Sequence, residues 1–189
     1  MFRPTLSTPP AENPVTLDEV KAHCVVDYDD DNDLIDSLTG AAIAHLDGFR
    51  GILGRAMVSQ TWDMSLGAWS RSICLPVPDV SAVTITYSDV DGVSQTVAGA
   101  NVGIHAITSG TLVYLSDDFD LPALESGNIA PVTVSFTCGF GAAADVPEAL
   151  KTAIKALVHT WYNNRDTSAD EALPLGVNAL IAPYRWQRV

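Results

Sequence analysis

The sequence predicts an α+β fold, mainly helical: a helical bundle with an antiparallel β insert between its long helices. Three observations predict it. Apolar residues recur at helical spacing through residues 31–51 and again through 147–165. Between these stretches the period switches to two. Nothing helical interrupts that middle region, which excludes alternating βα units and a parallel sheet.

Residues 1–14 read as an extended N-terminal arm, because Pro4, Pro9, Pro10 and Pro14 forbid helix and discourage sheet. Thr16 to Val25 is a short helix: Thr16 and Glu19 make a capping box, and Val15 with Val20 a hydrophobic staple. The next helix runs from Asp31 to about Gly51 on a stripe of Leu34, Ile35, Leu38, Ala41, Ala42, His45, Leu46 and Phe49. Gly51 and Gly54 end it. Residues 59–140 form the β insert, with strands expected at Thr61–Leu66, Ser72–Leu75, Ala82–Tyr87, Ser94–Val97, Thr111–Leu115 and Val132–Cys138. Asp91-Gly92 supplies a hairpin turn. A second long helix spans Pro147 to about Arg165 and buries Leu150, Ile154, Leu157, Val158 and Trp161. Asp145 with Glu148 offers it a capping box, although Pro147 disfavours helical Val146. Residues 15–58 and 141–166 thus make the helical core, in which the two long helices pack together. Residues 167–189 follow as a C-terminal docking tail, with a short helix from near Pro174 that stops before Pro183.

The chain has 189 residues and a net charge of −13, which suits one domain or a domain with an appendage. Residues 1–50 hold ten acids against three bases and residues 51–144 eight against two, whereas residues 145–189 balance at five and five. Such a surface repels phosphate, so a DNA-tracking binder is excluded over most of the chain. No apolar run reaches the roughly 18 residues of a membrane span, so no membrane partner is expected. The N-terminus lacks a basic-then-apolar layout, so a secretory signal is not indicated and cytoplasmic residence is the default. Cys24, Cys74 and Cys138 are odd in number and far apart, and they read as small buried apolar residues rather than a zinc or disulfide framework.

Candidate chemistry fails on spacing. The acidic run Asp27-Tyr-Asp-Asp-Asp-Asn-Asp33 lacks the glycine and glutamate of a calcium loop in either register, and reads as acids crowding a helix N-terminus. Gly139-Phe-Gly141-Ala-Ala-Ala144 matches a dinucleotide fingerprint formally, but no strand follows its helix to complete a βαβ unit. His23, His45, His105 and His159 stand singly and read as core or interface residues, and serine occurs in no nucleophile elbow. No catalytic, cofactor or metal site is expected, and the chain is not read as an enzyme.

What remains is the C-terminal end. Val177, Leu180, Ile181, Tyr184 and Trp186 lie beyond a polar break at residues 163–171, and so apolar an end must bury itself on its own domain or on a partner. Trp, Tyr and Arg are the residue types of interface hot spots. Leu180, Ile181, Tyr184, Arg185 and Trp186 are therefore the expected partner-binding residues. On that reading, deleting residues 174–189 leaves a folded chain that no longer attaches to its partner.

Taken in order, several segments resemble one family. They are Val15-Thr-Leu-Asp-Glu-Val-Lys-Ala-His23, Leu34-Ile-Asp-Ser-Leu-Thr-Gly-Ala-Ala42, Ser59-Gln-Thr-Trp62 and Leu75-Pro76. Cys138-Gly-Phe-Gly141, Val146-Pro-Glu-Ala-Leu150, Trp161-Tyr-Asn-Asn-Arg165 and Leu173-Pro-Leu-Gly-Val-Asn-Ala-Leu-Ile-Ala-Pro-Tyr-Arg185 continue the series. The series is similar to the head–tail connector, or adaptor, proteins of long-tailed bacteriophages and gene transfer agents. Leu121-Pro122 and Cys24 depart from the family's usual Trp-Pro and Leu, both at packing positions. The resemblance implies an oligomeric ring, a dodecamer in most members, built by the helical part. Its partners are the portal protein, reached by the C-terminal segment, and a tail-side stopper or tail terminator. DNA passes through such a ring without specific binding. The implied location is the neck of the virion or phage-like particle, with the bacterial cytoplasm as the place of assembly. A tail-completion or stopper protein, or a small nucleotide-binding enzyme on the Gly139–Ala144 turn, are the competing readings.

Overall fold

The computed structural model describes residues 2–164 and 173–186, so most of the expected polar break and the last three residues lie outside the described residues. The chain divides into two compact units, one of residues 2–11 and 59–139 and one of residues 12–58, 140–164 and 173–186.

The first unit is all β. Its strands are β1 (Thr5–Thr8), β2 (Gln60–Leu66), β3 (Ser72–Leu75), β4 (Val80–Ser88), β5 (Ser94–Thr96), β6 (Val102–Ile107), β7 (Gly110–Leu115) and β8 (Val132–Cys138). They form a five-stranded sheet in the order β1-β2-β8-β4-β5 and a three-stranded sheet in the order β3-β7-β6, with every pairing antiparallel. β8 holds the centre of the larger sheet because its alternation is clean: Val132, Val134, Phe136 and Cys138 are buried, and Thr133, Ser135 and Thr137 are half-buried. The β4–β5 hairpin turns at Gly92, whose φ of +75° favours a residue without Cβ. In the smaller sheet Gly103 pairs with Tyr114, and a Cβ there would lie 2.0 Å from the tyrosine ring. That close approach is why glycine stands in the middle of a strand.

The second unit is helical: α1 (Leu17–Cys24), α2 (Asn32–Leu46), α3 (Glu148–Asn163) and α4 (Leu175–Ile181). The Thr16 cap forms as expected: its Oγ1 accepts from the Glu19 N–H at 3.2 Å, and Glu19 Oε2 accepts from the Thr16 N–H at 2.7 Å. α3 is the hub, with α1, α2 and α4 all packed against it. It buries Leu150, Ala153, Ile154, Leu157 and Val158, an i, i+3, i+4, i+7, i+8 face.

Several expectations need correction. The fold is not mainly helical: the strands cover about as much of the described chain as the helices. The arm carries strand β1, since its prolines flank Thr5–Thr8 and an edge strand needs donors on one side only. Strand β6 adds more sheet from a segment in which exposed and half-buried residues do not alternate. The β residues form two sheets rather than one. α2 stops at Leu46, not near Gly51; its buried face is Ile35, Thr39, Ala42 and Leu46, while Leu34, Ala41 and His45 face solvent. Asp145 caps no α3 turn; its carboxylate accepts from the Ala142 N–H, and Pro147 takes the N-cap position.

Candidate interaction surface

The C-terminal segment does not trail away from the helical unit. Val177 and Ile181 of α4 sit one helical turn apart and are buried in the core with Leu150, Ile154 and Leu157. Past Ile181 the helix tightens into a 3₁₀ turn at Ala182–Tyr184, where Pro183 needs no donor of its own. The segment then meets the loop at residues 47–58. The Trp186 N–H donates to the Leu53 carbonyl at 2.7 Å, and Arg55 Nη1 donates to the Tyr184 carbonyl at 3.4 Å. The Arg55 guanidinium lies 4.4 Å from the Phe140 ring centroid, and that ring meets Tyr184 edge-on at 6.4 Å.

The receiving loop is built for close approach. Asp47 Oδ1 accepts from the Met57 N–H at 2.6 Å, and the Gly48 N–H donates to the Arg55 carbonyl at 2.9 Å. Gly54 has a φ of +65°, and a Cβ on it would stand 2.8 Å from the Trp186 carbonyl oxygen. Leu53 and Met57 are buried beneath. The five residues expected to bind a partner therefore have different surroundings. Ile181 is wholly buried, and Leu180 and Tyr184 pack partly against the same core. Trp186 is half-buried, and its indole N–H is buried without a hydrogen-bond partner among the described residues. Arg185 is exposed. Sequence reasoning missed the seat: Leu53, Gly54, Arg55 and Phe140. The apolar pair Ile52-Leu53 between two glycines was the available signal.

Other candidate sites are closed from within. In the Gly139–Ala144 turn, the Ala142 N–H is held by Asp145 at 2.9 Å and the Ala143 N–H by Glu12 Oε1 at 2.7 Å. Carboxylates thus occupy donors that a phosphate would need. The adjoining 470 Å³ cavity is lined by Glu12, Glu19 and Asp36 against a single base, Lys151, so it disfavours anions. In the acidic run, Asp29 binds Lys21 Nζ at 2.7 Å, and Asp31 accepts from the hydroxyls of Tyr28 and Tyr162. The Tyr162 hydroxyl is raised above its ordinary value, first by its bond to Asp31 and then by its bond to Tyr28. No group of three or more His, Cys, Asp or Glu among the described residues is placed to hold a metal. His23, His45, His105 and His159 are exposed rather than core residues; His23 and His159 meet edge-on at 6.0 Å, and His45 meets Trp161 at 6.2 Å. Burial lowers His23 below the ordinary imidazole value, and the charges of His159 and Lys155 lower it further. Of the cysteines only Cys138 is buried; Cys24 is half-buried and Cys74 exposed.

No protein-family model and no curated protein matches the chain. Solved structures do. A chain from the neck of an empty gene transfer agent particle, computed with C6 symmetry, is 25% identical with a TM-score of 0.77, covering 100% of this chain and 97% of that one. A chain from the virion of a native gene transfer agent particle gives the same 25% identity, TM-score of 0.77 and coverage of 100% and 97%. A chain from the neck of a native particle, computed with C12 symmetry, is 26% identical with a TM-score of 0.74 and covers 100% and 97%. From end to end, the chain is thus similar to a component of the gene transfer agent particle neck, a structural part of the particle and not an enzyme.

Proposed function

We propose that this chain is a head–tail connector: a structural protein that forms a ring in the neck of a phage-like particle, between portal and tail, through which DNA passes. The observation that carries the reading is the end-to-end match to chains of particle necks computed with C6 and C12 symmetry. Two further features support it. The acidic surface repels phosphate, so a duplex slides past without being trapped. The one nucleotide-like turn is filled by the chain's own carboxylates.

In partner contact the five C-terminal residues have divided roles. Ile181 anchors the segment in its own core. Leu180, Tyr184 and Trp186 shape the surface beside the 47–58 loop, and the exposed Arg185 offers a portal or neighbouring subunit a charged donor. Pull-down against isolated portal and against tail tube tests the reading. Capture by portal, lost on Arg185→Glu, is the expected result. Capture by tail tube alone makes the chain a stopper or tail-completion protein instead.

A further inference from the structure

We infer that neighbouring copies, beside the helical contacts that the resemblance implies for the ring, also join edge to edge through the five-stranded sheet, β1 of one copy pairing with β5 of the next; the inference rests on the neck reading for its ring. A closed ring needs two different, mutually complementary surfaces on one chain, because a self-complementary patch stops at a dimer. This sheet supplies such a pair. Its order β1-β2-β8-β4-β5 leaves β1 and β5 as its edges, and every side chain of both strands is exposed.

Direction makes the match specific. Four successive antiparallel pairings return β5 to the direction of β1. Repeating the sheet from copy to copy therefore sets the two edges parallel, with their N-terminal ends side by side. At that end of β1 stand Phe2 and Leu6, 45% and 46% exposed, with exposed Arg3 between them. At that end of β5 stand Val90 and Val93, 62% and 53% exposed, with exposed Asp91 between them. Each edge carries two apolar side chains around one charge, and the charges are opposite. Arg3 and Arg71 are the cations of residues 2–11 and 59–139, and Arg71 donates to the Ser116 carbonyl. Asp89 is already spent on the Asp91 and Val93 N–H groups and on Gln95. Asp91 is thus the turn's outward carboxylate. Short edge strands are also how natural sheets discourage indiscriminate pairing. Here the charge and the two valines select one partner edge, and parallel main-chain hydrogen bonds supply the join.

The experiment is disulfide cross-linking of the full-length chain, free and bound to portal-bearing heads. Ser7→Cys and Thr96→Cys are introduced together in a Cys74→Ser background that removes the exposed native thiol. A ladder extending beyond dimer is expected from the pair, and none beyond dimer from either cysteine alone. Arg3→Glu should reduce the ladder at least tenfold, and adding Asp91→Arg should restore it. No species above dimer in either setting, or a ladder indifferent to Arg3→Glu, overturns the edge pairing. Protein that binds heads without a ladder sinks this inference and leaves the neck reading standing. A ladder from protein that no head retains leaves the edge pairing standing and sinks the neck reading.

Discussion

The backbone N–H of Trp186 donates to the carbonyl of Leu53 at 2.7 Å, tying the C-terminal segment to a loop more than a hundred residues earlier. With Val177 and Ile181 in the same core, the segment belongs to the helical unit's own packing. Ile181→Ala should therefore cost about 2–5 kcal/mol in urea unfolding, the range for a truncated core isoleucine. Leu175→Ala on the exposed side of the same helix should stay within about 0.5 kcal/mol. Equal, small effects would mean the segment is not seated. Deleting residues 174–189 should likewise destabilise the helical unit rather than leave it intact.

Val25 ends α1 with a φ of +58° and its side chain 89% exposed. A β-branched residue pays for the left-handed region and here gains no burial in return. Val25→Gly should raise stability by about 1 kcal/mol, read as a higher urea midpoint at unchanged slope. A loss would show that the valine packs in solution.

The Thr16 N–H holds the Glu19 carboxyl below its ordinary value of 4.5. A carboxyl lowered on folding adds stability above its unfolded value and loses it as pH falls through the folded one. Thr16→Ala should cost about 1 kcal/mol at pH 7. Glu19→Gln should flatten the stability–pH curve below pH 4.5. An unchanged acid limb counts against the cap.

His23 has the opposite sign. Its imidazole is lowered below 6.5, first by burial and then by His159 and Lys155. As pH drops below 6.5 the unfolded chain takes the proton first, so stability falls. His23→Gln should remove part of that loss between pH 6.5 and 5, measured by thermal melts, and an identical profile would refute the assignment.

Nucleotide should leave the melting temperature unmoved. A ligand at 100 times its dissociation constant adds about 2.7 kcal/mol. Such a shift with ATP or GTP would require Glu12 and Asp145 to vacate the turn.

Much of the helical unit was legible because its signals are local. Thr16 with Glu19, and the face from Leu150 to Val158, declare themselves within a few residues. β3 and β8 were equally plain, since Ile73 and Leu75, or Val132 to Cys138, alternate cleanly. β1 and β6 were not, because β1 is exposed throughout and the half-buried residues of β6 do not alternate with its exposed ones. The home of the C-terminal segment was hidden for another reason. Whether Ile181 faces a partner or its own core depends on Leu53, Gly54 and Phe140, contacts that no local pattern encodes.

If this chain builds the ring between portal and tail, cryo-microscopy of particles assembled with it will show a ring of this fold in the neck, with residues 173–186 seated on their own subunit and DNA density on the ring axis. Particles whose portal and tail join without this chain, or that carry it anywhere but the neck, would rule such a ring out.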